Sequence, residues 1–268
     1  MMEQAQAFLD ESDALYELIK NLDDEALELQ TGYKGWTINA VIRHLHMWNH
    51  AANLSLEGEG KFDELFSAFV EHMAAGGSFS SFELEWRDGL NGRALVAEWQ
   101  AYYRALAGRF GAADPKARVE WAGPGMSVRS SVTARLMETW AHGQEVYDLL
   151  GVHRKNRDHI KNIVVLGLNT YGFCFQNRKM DIPEPRPFLK LVAPSGVTWE
   201  MGDANDKEVI EGLAEEFCQV VTQTRNIADT SLQVTGDNAT AWMDIAQCFA
   251  GAPQDPPLPG TRKTETRH

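Results

Sequence analysis

Residues 37–56, TINAVIRHLHMWNHAANLSL, carry the period that decides the fold. At about 100° per residue, Val41, Leu45, Trp48 and Ala52 fall on one stripe, as in an amphipathic helix with one face in a core. Thr37 stands where an N-cap belongs, and Gly58 and Gly60 lie just past the end. Three histidines ride on this helix. His44 lies on the flank of the stripe, where its ring can turn inward. His46 and His50 project roughly opposite the stripe and are expected on the solvated face.

The same period recurs on both sides. Phe8, Leu9, Leu15, Leu18 and Ile19 mark a helix ahead of Asn21. Residues 62–73 give a shorter helix ended by Gly76-Gly77, residues 93–110 a further one, and residues 127–150 a last one closed by Gly151. Gly123-Pro-Gly125 reads as the turn before it. Four long amphipathic helices with one short insertion predict an up-and-down four-helix bundle over residues 1–153. Past Gly151 the character changes. A helix at 159–175 precedes Pro183, Pro185 and Pro187, which punctuate the chain as a linker does. FLKLV at 188–192 and VTWEM at 197–201 then read as a hairpin. Residues 207–224 are predicted helical, with the acidic run 211–216 as a solvated face. A short strand at 231–235 and a helix at 239–249 follow, so residues 154–252 form an α+β domain. The stretch 253–268, rich in Pro, Gly, Thr and charge, is expected to be disordered.

Composition narrows the function. The chain of 268 residues is 44% hydrophobic and 24% charged, as a folded globular protein is. A formal net charge of −13 argues against nucleic acid, whose phosphates need a basic patch, and against anionic membrane surfaces. No apolar run approaches the roughly 18 residues of a membrane span. The acidic N-terminus is unlike a signal peptide, so the expected compartment is cytoplasmic. Cys174, Cys218 and Cys248 are widely spaced and form no CxxC, so they read as small core residues.

Chemistry concentrates on two helices. On the last one, Val128, Val132, Leu136, Val146 and Leu150 define the buried stripe, and Glu138 and His142 share its edge with Ser131 and Arg135. A Glu–His pair one turn apart can present two donors to one ion. His44 would complete a His₂Glu set with one open position, the arrangement of a catalytic zinc. Spacing alone leaves a second reading open, in which Glu138 pairs with Arg135 or His142 at the surface and His44 is a hydrogen-bonded core-edge residue. Trp36, Trp48, Trp99, Trp140 and Trp242 read as core anchors.

Two motifs carry a resemblance. Gly35-Trp-Thr-Ile-Asn-Ala-Val-Ile-Arg-His44-Leu45 resembles the GWT…HL segment of the DinB-like superfamily, and Arg135-Leu-Met-Glu138-Thr-Trp-Ala-His142-Gly-Gln-Glu-Val-Tyr-Asp148 is similar to the second signature of its mycothiol-dependent maleylpyruvate isomerase branch. The resemblance implies a divalent ion on His44, Glu138 and His142, a low-molecular-weight thiol cofactor, and a sterol-carrier-like C-terminal domain. Zinc suits the donor set, and nickel or cobalt would also be accepted. There is one departure. The family pattern implies an arginine after the glycine ending the last helix, but the run here is Ala250-Gly251-Ala252-Pro253, leaving Arg178, Arg186 and Arg225 as substitutes. The expected function is a metal-binding, thiol-dependent enzyme of isomerase-like or transferase-like type acting on a small molecule. The rivals are a non-catalytic metal-binding protein, with a homodimer left open, and a carrier of a small apolar ligand. Catalytic residues beyond the metal donors are not assigned by the sequence.

Overall fold

The computed structural model describes residues 1–263 and divides into two compact units, Met1–Val146 and the chain from Tyr147 onward. The first unit is built on four long helices: α1 (Glu3–Ile19), α3 (Ile38–Glu57), α6 (Gly92–Ala112) and α7 (Val128–Leu150), the last running on past the division. Short α2 (Asp24–Leu27), α4 (Lys61–Ala74) and α5 (Phe79–Glu85) fill the connections. Helix α6 packs against both α1 and α3, and the core between them holds Phe8, Leu15, Val41, Leu45, Trp99, Tyr103 and Leu106. Thr37 caps α3 through its hydroxyl, which accepts from the Ala40 N–H at 3.1 Å.

Two expectations for this unit need correction. Gly123-Pro-Gly125 is not a free turn but part of strand β2 (Gly123–Ser127), paired antiparallel with β1 (Arg118–Trp121). His46 and His50 are not on a solvated face. His46 is 1% exposed, and both rings lie against Trp86 and Tyr102. The reason is coverage from two directions: α6 brings Tyr102 along α3, and the end of α5 brings Trp86 over it. A helix with neighbours on several sides buries more than one stripe.

In the second unit, a 3₁₀ turn at Asp158–Ile160 leads into α8 (Lys161–Asn169) and α9 (Tyr171–Asn177), which break at Thr170 where one helix was expected. Strands β3 (Phe188–Val192), β4 (Thr198–Met201), β5 (Val209–Leu213) and β6 (Gln233–Thr235) form a sheet in the order β4-β3-β5-β6, with β3 and β5 parallel. Helices α10 (Ala214–Val221) and α11 (Asp237–Ile245) complete it. The hairpin is as expected, but the helix predicted over 207–224 begins only at Ala214. Its first part is β5, with Glu211 in a strand rather than on a helix face. Ladders from β3 and β6 satisfy both edges of this short apolar run, which period alone cannot tell from a helix.

The stretch expected to be disordered is fastened down to residue 260. Gln254 N–H donates to Gln247 Oε1, Asn226 Nδ2 donates to the Pro257 carbonyl, and Gly260 N–H donates to Asp229. Residues 264–268 lie outside the described residues. Among the described residues no helix is long and apolar enough to cross a membrane.

The cap at Thr37 fixes where the helix carrying His44 begins. Thr37→Ala is expected to lower stability by about 1 kcal/mol and Thr37→Ser by less, as read from urea unfolding midpoints at constant m.

Candidate metal centre

Two helices bring three donors to one point. Helix α3 supplies His44, and α7 supplies Glu138 and His142 one turn apart. Glu138 Oε2 lies 3.5 Å from His44 Nε2 and 3.3 Å from His142 Nε2. One donor atom from each residue falls within 4.8 Å of the others. Tetrahedral bonds of 2.0–2.1 Å give donor separations of about 3.3 Å. The two separations from Glu138 are thus close to that value.

Behind His44 stands Glu83, from α5. Its Oε1 is 2.7 Å from His44 Nδ1 and also accepts from Trp48 Nε1 at 3.2 Å. A carboxylate on Nδ1 keeps a proton there and leaves Nε2 facing Glu138, as in carboxylate–histidine–metal arrangements. Trp36 forms a wall. Its ring stacks on His142 at 5.5 Å with 11° between planes and lies 5.1 Å from His44. The loop holding it is tied by Thr31, whose N–H and hydroxyl both donate to the Trp36 carbonyl. Gly35 takes φ 71°, which lets the chain turn so tightly before the ring. Tyr33 meets the edge of His142 at 5.2 Å.

The charges divide unevenly. Burial disfavours the imidazolium of His44, but Glu83 and Glu138 outweigh it and raise its pKa to about 9. Burial likewise opposes charge on Glu138, yet the two histidines and Arg135 hold its carboxyl well below the usual range. His142 goes the other way, lowered by burial and by the neighbouring His44. The metal-free centre is therefore an ionised Glu138 beside a protonated His44 and a neutral His142. Positive charge is what the two carboxylates call for, and a proton on His44 supplies it.

The three residues chosen from the sequence are brought together, and the two helical histidines set aside, His46 and His50, stay away from them. Glu83 went unread, and Trp36 was placed wrongly. Trp36 is half-buried at the site rather than a core anchor. Glu83 sits in a helix of seven residues, Phe79–Glu85, too short to announce itself by period, and its partner is 39 residues away.

Fold and donors together define a class: a helical bundle with a His₂Glu cluster on two of its helices, followed by an α+β unit. The family model of the mycothiol maleylpyruvate isomerase N-terminal domain matches residues 8–147, a stretch that contains all three donors. Two uncharacterized proteins of Mycobacterium tuberculosis, from strains CDC 1551 and H37Rv, are each 35% identical over 244 residues, 91% of this chain and 93% of theirs. Crystal structures of the mycothiol-dependent maleylpyruvate isomerase and of a mutant of it superpose with TM-score 0.52 at 16% and 15% identity, covering 81% of this chain and 87% of theirs. At that identity the likeness speaks for the fold. The chain belongs to the mycothiol maleylpyruvate isomerase N-terminal domain family.

Because folding raises the pKa of His44, the stability its proton contributes is full below about pH 6.5 and drains as pH climbs toward 9. Metal-free protein should therefore melt at lower temperature at pH 9 than at pH 6.5. Glu83→Gln, which keeps an acceptor but removes the charge, should flatten that slope. An equal slope in both proteins would remove Glu83 from this role.

Proposed function

We propose that the chain is a divalent-metal-binding enzyme that uses a small thiol in isomerase-like or transferase-like chemistry. The observation that carries this reading is the convergence of His44, Glu138 and His142 on one point, with the Glu83 carboxylate set against Nδ1 of His44. Two imidazoles and one carboxylate suit zinc, and nickel or cobalt would be accepted. Three protein donors leave a tetrahedral ion one position for an exogenous ligand. A divalent ion in that set would lower the pKa of a bound thiol and supply a thiolate at neutral pH.

The roles of the chain's own residues follow. Glu138 bridges the two histidines and supplies the negative charge of the site. Glu83 orients His44 from behind. Trp36 covers His142 and keeps one side of the centre dry, which strengthens electrostatic interactions inside it. The relatives' names make mycothiol the first thiol to test. The maleylpyruvate reaction itself is not proposed: Ala250-Gly251-Ala252-Pro253 offers no guanidinium where the family pattern has one.

Metal content after dialysis tests the reading. Wild type and His50→Ala should retain about one ion per chain, and His44→Ala, Glu138→Ala and His142→Ala should each lose it, while Glu83→Gln should bind 10–100-fold more weakly. Cobalt-substituted protein should change its visible spectrum on addition of a thiol. Retention of the ion by all three alanine variants would sink the proposal.

A further inference from the structure

His46, buried, and His50, half-buried, belong to a second polar cluster that the metal centre does not use. Each meets a residue of α6. His46 Nε2 lies 3.2 Å from Glu98 Oε1, and His50 Nδ1 lies 2.9 Å from the Tyr102 hydroxyl. Both pairs of residues are one turn apart on their helices, so α3 and α6 face each other through two polar rungs. Into this ladder reach Trp86 and Arg87, the two residues that follow α5. The Trp86 ring lies 5.5 Å from that of His46 and 5.1 Å from that of His50. Arg87 pairs with Glu98, and its guanidinium carbon lies 5.4 Å from the Trp86 ring.

A helix of seven residues has almost no stability of its own, so tertiary contacts set where α5 sits. At its start, Phe79 and Phe82 pack on Phe69 of α4. At its end the contacts are those of Trp86 and Arg87. Glu83 lies between, three residues before Trp86 and within the same turn, because the Trp86 N–H still donates to the Phe82 carbonyl at 2.9 Å. The chain thereby grips α3 from two sides. His44 and His46 stand about 200° apart around that helix, and Glu83 meets the first while Trp86 meets the second. A carboxylate that orients a ligand must be placed to within about 0.5 Å, and Glu83 has His44 Nδ1 and Trp48 Nε1 to satisfy at once. The Arg87–Glu98 pair is partly exposed and adds little to stability. Its effect is directional: it fixes the chain leaving α5 in one register against α6.

We propose that Trp86, backed by the Arg87–Glu98 pair, is a positioning residue for the metal centre: seated on His46 and His50, it holds α5 so that Glu83 meets His44. Linkage makes such coupling reciprocal, so an ion on His44 tightens the hold on Trp86. The assignment deepens the proposed function, on which only the metal arm of its test rests.

The first arm uses metal-free protein. The Trp48 indole N–H, which donates to Glu83, is followed by NMR and assigned through Trp48→Phe. Trp86→Ala should move that signal toward its position in Glu83→Ala, and Trp86→Phe, which keeps a ring on the histidines, should leave it near wild type. Trp86→Ala added to Glu83→Ala should move it no further. The second arm is zinc affinity, measured by competition with a chelator. Trp86→Ala should weaken binding about tenfold, as loss of an outer-shell partner does, Arg87→Met and Glu98→Gln should weaken it less, and Trp86→Phe should restore it. In the Glu83→Ala background these losses should vanish, because contacts that act through one group are not additive. Should Trp86→Ala fail to fold, Arg87→Met and Glu98→Gln carry the same comparison in both arms. A Trp48 signal that ignores all of these variants, or losses that add to that of Glu83→Ala, would mark a purely structural contact and overturn the assignment. Wild type that binds no zinc, with the Trp48 response as described, would instead count against the proposed function alone.

Discussion

Glu138 lies half-buried between two imidazoles, and an ionised carboxylate in that position calls for positive charge. That demand organises the bundle around it. Without an ion it is met by a proton on His44, whose pKa is raised to about 9, and by the more distant Arg135. Glu83 doubles the requirement by placing a second carboxylate on the other side of His44. Two anions with one proton between them are the arrangement on which the proposed divalent-cation site rests. The long helices supply the rigidity: α3 and α7 present the donors from stable backbone, with α6 and its Trp99–Tyr103 core behind α3.

The aromatic residues do a second job. Trp36 and Tyr33 lie against His142, and Trp48 donates to Glu83 while touching Trp121. These rings pack against the imidazoles without competing for the donor atoms, and they restrict how the imidazoles can turn. The result is a shell in which His44, Glu138 and His142 face one another, with Arg135 about one turn and Ser131 about two turns before Glu138 on the same helix.

Much of this was legible in the chain. A 3.6-residue period located α3 and α7 to within a residue or so at each end, and Thr37 and Gly58 marked the limits of α3. The same projection selected His44, Glu138 and His142. It failed where its premise failed: it assumed one buried face per helix, but α3 is covered by both α6 and α5, so His46 went inside. Glu83 was beyond its reach because α5 is brief and the contact is made through tertiary packing. In the second unit, Val209-Ile210 carried no period long enough to separate strand from helix, and neighbouring β3 and β6 decided it. Composition suggested a loose tail after Pro253, but side chains at Gln247, Asn226 and Asp229 reach out and hold its backbone.

The proposed centre is one divalent ion held by two imidazoles and one carboxylate, with a position left for a thiol. X-ray absorption on the zinc-loaded protein, before and after adding the thiol, reads all of it at once. It should show two imidazoles among oxygen and nitrogen neighbours at roughly 2.0–2.1 Å, and then one sulfur appearing at about 2.3 Å. Sulfur in the first spectrum, fewer than two imidazoles, or a coordination shell that no thiol alters would contradict it.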